Sequence, residues 1–147
     1  ARVSLFAGAV TGSAGPVRFL VHASGGMGKA AGSAGRQDES DQSAVTVEGS
    51  SLDEFVHRRG NPAPQVVKMD IEGSELSALQ GGENALRRWK PGLAISLYHR
   101  WDDFFAIPLW LSAMNFGYRF FLDHYSIHHE ETVLYAIANG TRDAATH

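Results

Sequence analysis

The fold turns on the stretch Val66-Val67-Lys68-Met69-Asp70-Ile71-Glu72-Gly73-Ser74-Glu75. Residues 66–70 form a mostly apolar run that ends in charge, which reads as a buried strand. Gly73 permits a tight turn into the next segment. There Leu76, Leu79, Leu86 and Trp89 recur at spacings of three, seven and three, which predicts one helix over about 74–89. Gly81-Gly82 weakens its middle by roughly 1 kcal/mol per glycine relative to alanine. Lys90-Pro91-Gly92 ends it, and residues 93–98 (LAISLY) read as the next strand. Strand, helix and strand in this order describe part of an open α/β sheet. In such sheets ligands sit beyond the carboxyl ends of the strands, which singles out the segments after Asp70 and after Tyr98.

Towards the N-terminus, residues 3–10 (VSLFAGAV) and 17–21 (VRFLV) read as two strands separated by Thr11-Gly12-Ser13 and Gly15-Pro16. Residues 22–43 are rich in Gly, Ala and Ser and carry no apolar period, so they read as a flexible insertion or a lid. A short strand follows at 44–48. Ser50 or Ser51 can cap a helix to about Arg59, with Asp53 and Glu54 favouring its first turn. Towards the C-terminus, Pro108 is placed to open a helix reaching Asn115. Residues 117–125 and 132–138 read as an antiparallel hairpin, because their short connection has no room for a crossover helix. Residues 139–147 read as a disordered tail.

At 147 residues, 44% hydrophobic and 20% charged, the chain has the make-up of one soluble domain. Its net charge of -3 argues against a nucleic-acid partner held by general phosphate attraction. The absence of cysteine removes disulfides, thiolate metal sites and cysteine nucleophiles, and fits a cytoplasmic location. The longest apolar stretch, 104–114, is too short to span a bilayer, and no signal peptide opens the sequence, so no membrane partner is expected.

Asp70 and Glu72, two residues apart at the end of a strand, could orient a substrate hydroxyl, accept its proton or bind a divalent cation. Alternatively, Glu72 or Ser74 caps the helix and Asp70 satisfies backbone donors. His99, just past a buried strand, reaches the same sheet edge and could serve as base or ligand. Arg100 could bind an anion or pair with Asp102 or Asp103. A third cluster, His124, Tyr125, His128 and His129, lacks the spacing of a closed metal site and reads as a polar connection. Trp110, Phe116, Tyr118, Phe120 and Phe121 read as core. No glycine-rich turn links a strand to a helix near the N-terminus, and neither a P-loop nor a nucleophile elbow occurs.

The run VKMDIEGSELSALQGGENAL, from Val67, resembles the fourth-strand motif of the FkbM methyltransferase family. Residues 3–10 with Gly12 and Gly15-Pro-Val-Arg-Phe are similar to that family's third strand and the hairpin after it. Ser51-Leu-Asp-Glu-Phe, Leu97-Tyr-His-Arg, Ile107-Pro-Leu, Gly117-Tyr-Arg-Phe and Glu131-Thr-Val-Leu-Tyr-Ala continue the likeness in the same order. Asp123 departs from the pattern, which carries an arginine there. The resemblance implies a class I (Rossmann-like) methyltransferase sheet, truncated at its N-terminus and closed by a C-terminal antiparallel hairpin, within a partial domain over 1–138. It implies S-adenosylmethionine as cofactor and transfer of methyl to the hydroxyl of a small-molecule or glycan acceptor. Asp70 and Glu72 would lie beside donor and acceptor, with His99 across the same pocket and Lys68 lining it. Gly8 and Ala9 would lie where the third strand ends near the adenine. The family's glycine-rich loop and second-strand acid would precede Ala1. A truncated, non-catalytic module that acts in protein interaction or homo-oligomer assembly is the alternative. A metal-dependent hydrolase built on Asp70, Glu72 and His99 is a third reading.

Overall fold

The computed structural model describes residues 3, 5–22, 29–30, 42–57, 60–126 and 131–138. They form two four-stranded sheets with helices between and beside them. The second sheet holds β5 (Val66–Met69), β6 (Gly92–Ser96), β7 (Tyr118–His124) and β8 (Thr132–Ala138) in the order β5-β6-β8-β7. β5 and β6 are parallel, in register from Val66↔Gly92 to Met69↔Ile95. β8 runs antiparallel to both β6 and β7, so the expected hairpin is present.

This sheet carries the core. Met69, Leu93, Ile95, Leu134 and Ala136 pack with Leu79 and Leu86 from the helical segment after β5, and with Ile107, Leu111 and Phe116. Burial alternates along β8, as the period of a strand requires. Trp110 and Tyr118 meet Phe116 edge-on, each at 6.1 Å between ring centroids, and Phe120 packs against the same core. Phe121 is a correction. The strand period turns it to the opposite side from Phe120, and it is exposed.

The first sheet contains β1 (Ala9–Val10), β2 (Gly15–His22), β3 (Lys29–Ala30) and β4 (Gln42–Ser50) in the order β1-β4-β2-β3. β2 and β4 pair antiparallel over their lengths, and β1 adds to β4 in parallel. The strand boundaries here therefore differ from the sequence reading. Of the described residues in 3–10, only Ala9 and Val10 have a ladder partner. The stretch 22–43 gives His22 to β2, Lys29 and Ala30 to β3, and Gln42 and Ser43 to β4. The rest of that stretch, with the tail 139–147, lies outside the described residues.

The expected helix over 74–89 is two helices, α2 (Glu75–Gln80) and α3 (Glu83–Trp89), divided at Gly81-Gly82. The first sheet explains the break. A Cβ on Gly81 would meet the carbonyl oxygens of Thr11 and Gly12 at 2.7 Å, and one on Gly82 would meet Leu52 at 2.7 Å. The two glycines thus let the turn after β1 and the start of α1 (Leu52–His57) come up against the helical layer. Ser51 is the cap of α1, its Oγ accepting the Glu54 amide at 3.1 Å. Pro108 does not open its helix. It lies in the second turn of α4 (Asp103–Ala113) and has no N–H to give the Phe104 carbonyl. Ile107 and Leu111, both fully buried on α4, are what carry the helix past that missing bond. Among the described residues no helix is long and apolar enough to cross a membrane.

Candidate functional site

Because β5 and β6 are parallel, the residues that follow them emerge at one edge of the sheet. Asp70 comes directly after β5, and Tyr98 and His99 come just after β6. The extension past β6 is held by the Leu97 amide, which donates to the Thr132 carbonyl at 2.9 Å. The chain beyond Asp70 reverses in a turn closed by the Ser74 amide on the Ile71 carbonyl, 3.3 Å. Both central residues of the turn have positive φ, +57° at Glu72 and +88° at Gly73. Glycine suits the second position twice over, since a Cβ there would also press on the Arg100 side chain at 3.1 Å. Glu72, a non-glycine residue in the left-handed region, is held there at some strain.

The turn gathers the predicted residues. His99 Nε2 lies 3.4 Å from Asp70 Oδ1 and 3.7 Å from Glu72 Oε2. The His99 side chain is 8% exposed, while Asp70 and Glu72 are open enough to meet a ligand, at 37% and 26%. Tyr98 Oη donates to Asp70 Oδ1 at 2.9 Å, and Lys68 Nζ lies 3.7 Å from Asp70 Oδ2. Burial and the bond to Asp70 push the Tyr98 hydroxyl up to about 12, so it stays protonated and remains a donor. The helix-capping alternative fails at Ser74, whose side chain makes no capping bond.

Two acids join the site that spacing did not single out. Glu75, fully buried at the start of α2, accepts the Ile71 amide at 2.8 Å and has Oε1 2.8 Å from His99 Nδ1. Asp103 is 2% exposed, and its carboxyl is pushed up to about 6 by burial first and then by the charge of Glu75. Among the described residues, three buried atoms here lack a well-aligned hydrogen-bond partner: Glu75 Oε2, His99 Nδ1 and Asp103 Oδ2. Glu75, Tyr98 and Asp103 are close in sequence to Asp70, Glu72 and His99, yet nothing in residue spacing marks an acid as buried.

Asp70, Glu75 and His99 bring ligand atoms within 4.8 Å of one another, close enough to raise a cation site. Asp70 lies against Nε2 of the imidazole and Glu75 against Nδ1. An ion at Nε2 would draw on Asp70 and Glu72.

Gly8 and Ala9 are elsewhere. With Phe6, Ser50, Leu52 and Phe55 they line an apolar cavity of about 260 Å³, whose walls include none of Asp70, Glu72 and His99. A wider cleft of about 490 Å³ lies between Gly12, Ser13, Asp53, His57, Gln80 and Gly81. Arg100 pairs in bidentate fashion with Asp102, at 3.1 and 3.0 Å. His124 Nδ1 lies 2.8 Å from Thr132 Oγ1, and Tyr125 Oη lies 2.7 Å from Tyr135 Oη, so both have structural partners. His128 and His129 lie outside the described residues.

A mixed α/β chain with carboxylates and a histidine at the ends of two parallel strands is the frame in which group-transfer sites are commonly built. Residues 4–120 match the Methyltransferase FkbM domain, and the chain belongs to the FkbM methyltransferase family. It is similar to the crystal structure of methyltransferase FkbM from Methylobacillus flagellatus KT, at 36% identity and a TM-score of 0.56. That match covers 62% of this chain and 23% of the other. No curated protein matches the chain.

Proposed function

We propose that this chain is part of a cytoplasmic, class I S-adenosylmethionine-dependent methyltransferase that methylates a hydroxyl of a sugar or other small molecule. The observation that carries this reading is the meeting of Asp70, Glu72 and His99 beyond the parallel strands β5 and β6. The strand order β5-β6-β8-β7, with the antiparallel β8 inserted, supports the class I assignment, as does membership of the family.

S-adenosylmethionine, when bound, supplies an electrophilic methyl group for in-line displacement. The protein then has to align the acceptor oxygen and remove its proton. Asp70, steadied by Tyr98, orients the acceptor hydroxyl through its free lone pairs. His99 Nε2 takes the proton as the oxygen–carbon bond forms, and Glu72 balances the resulting imidazolium. Gly8 and Ala9, beside their apolar cavity, suit the flat face of an aromatic ring such as adenine. A divalent cation, where one is used, would be held by Asp70 and Glu72 and would supply Lewis-acid polarisation of the acceptor oxygen.

Calorimetric titration of S-adenosylmethionine into this chain and into a form extended upstream tests the reading. Binding by the extended form, weakened by Asp70→Asn, is expected. Binding by neither form overturns it. With any hydroxyl acceptor that is turned over, His99→Gln should lower transfer by roughly 100-fold or more.

A further inference from the structure

We infer that Glu75 is a positioning residue: its buried carboxylate holds the Nδ1 proton of His99, so that the ring presents an unprotonated Nε2 to the opening between Asp70 and Glu72. Glu75 is fully buried on α2, and its Oε1 already accepts the Ile71 amide at 2.8 Å. The same oxygen lies 2.8 Å from His99 Nδ1, off the line of an ideal hydrogen bond, while Oε2 has no hydrogen-bond partner among the described residues. At that separation an unprotonated Nδ1 would set its lone pair against a carboxylate. A proton on Nδ1 turns the same contact into attraction, and a small rotation of the ring completes the bond. Burial sharpens the choice, because a carboxylate out of water without donors is strongly disfavoured.

The other edge of the ring is arranged differently. Nε2 stands 3.4 Å from Asp70 Oδ1 and 3.7 Å from Glu72 Oε2, both too long for a direct hydrogen bond. Asp70 Oδ1 already accepts from Tyr98. The opening beside Nε2 therefore suits a hydroxyl proton brought in by a substrate. Other charged neighbours are Lys68, 3.7 Å from Asp70, Arg100, turned to Asp102, and Asp103 on α4, which feels the charge of Glu75. An acid on one ring nitrogen that leaves the other free towards substrate is how a histidine base is given its tautomer.

The catalytic use of this arrangement rests on the methyltransferase reading, but its test does not. Nitrogen-15 NMR of the imidazoles, with His99 assigned through His99→Asn, reads the tautomer of the neutral ring directly. The wild-type chain is expected to show a protonated-type resonance at Nδ1 and an unprotonated-type resonance at Nε2. Glu75→Ala removes the acceptor from the Nδ1 edge, so the Nδ1-protonated signature should give way towards the Nε2-protonated one. A wild-type ring protonated at Nε2 overturns the inference, as does an unchanged pattern in Glu75→Ala. If that variant does not fold, the wild-type spectrum decides alone. No methyl donor is present in the measurement, so loss of the methyltransferase reading would register separately, in the calorimetry.

Discussion

The two sheets are built from similar apolar runs and held in different ways. In the β5-β6-β8-β7 sheet, Leu93, Ile95, Leu134 and Ala136 are buried, and the helices close over them. In the β1-β4-β2-β3 sheet, Val10 and Val45 are largely exposed, and burial among the described residues is confined to the end near Ala9 and Ser50. That end is fastened by polar contacts. Asp53 Oδ1 accepts the Ala85 amide at 2.7 Å, and its Oδ2 accepts the Asn84 amide at 3.1 Å and the Asn84 side chain at 2.8 Å. The acid beside Ser51 thus caps α3, thirty-odd residues on, as well as opening α1. One sheet stands on apolar burial, and the other is clamped to it by a carboxylate and two glycines.

Matched truncations should break that comparison if it is wrong. Ile95→Ala is expected to cost about 2–5 kcal/mol, since it empties a fully buried site. Val45→Ala, at a position 48% exposed, should change stability by no more than about 0.5 kcal/mol. Urea midpoints measure both, and equal losses would mean that the sheets share one core. Next in size, Asp53→Ala should cost about 2 kcal/mol, because it leaves the first amides of α3 without their acceptor. Hydrogen exchange at Asn84 and Ala85 should rise with it. Continued protection of those amides would show that water or another side chain caps the helix equally well.

The same contrast separates what could be read in the sequence from what could not. The second sheet was legible because its strands are bounded by strong punctuation, Asp70 to Gly73 on one side and Lys90-Pro91-Gly92 on the other. Asp70, Glu72 and His99 were legible as a group because the carboxyl ends of parallel strands share an edge. The break at Gly81-Gly82 was visible as weakness only. Its cause is a close approach by Thr11, Gly12 and Leu52, distant in sequence, which periodicity cannot express. Pro108 misled for a related reason. Its position favoured a helix start, whereas the burial of Ile107 and Leu111 on tertiary contact keeps it inside one. Glu75 has the look of any acid in a helix's first turn, and only the fold shows it sealed against His99.

Asp103 offers the finest test, because it asks whether the buried polar pocket behind His99 is as dry as its geometry implies. Its carboxyl is pushed from 3.8 to about 6 in the folded chain, so the folded state holds a proton that the unfolded state has released. In that window the folded form binds more protons, and the contribution of Asp103 to stability therefore falls as pH rises from about 4 through about 6. Below the window the group is protonated in both states and imposes no penalty. Above it the folded chain carries a buried charge beside Glu75. Asp103→Asn is neutral at every pH and should flatten that slope, making the variant more stable than the parent by about 1–2 kcal/mol near pH 8. At pH 4 the two should unfold at nearly the same urea concentration. A parent chain with no slope between those limits would mean that Asp103 keeps its water, and the pocket that confines Glu75 and His99 would then be open on the α4 side.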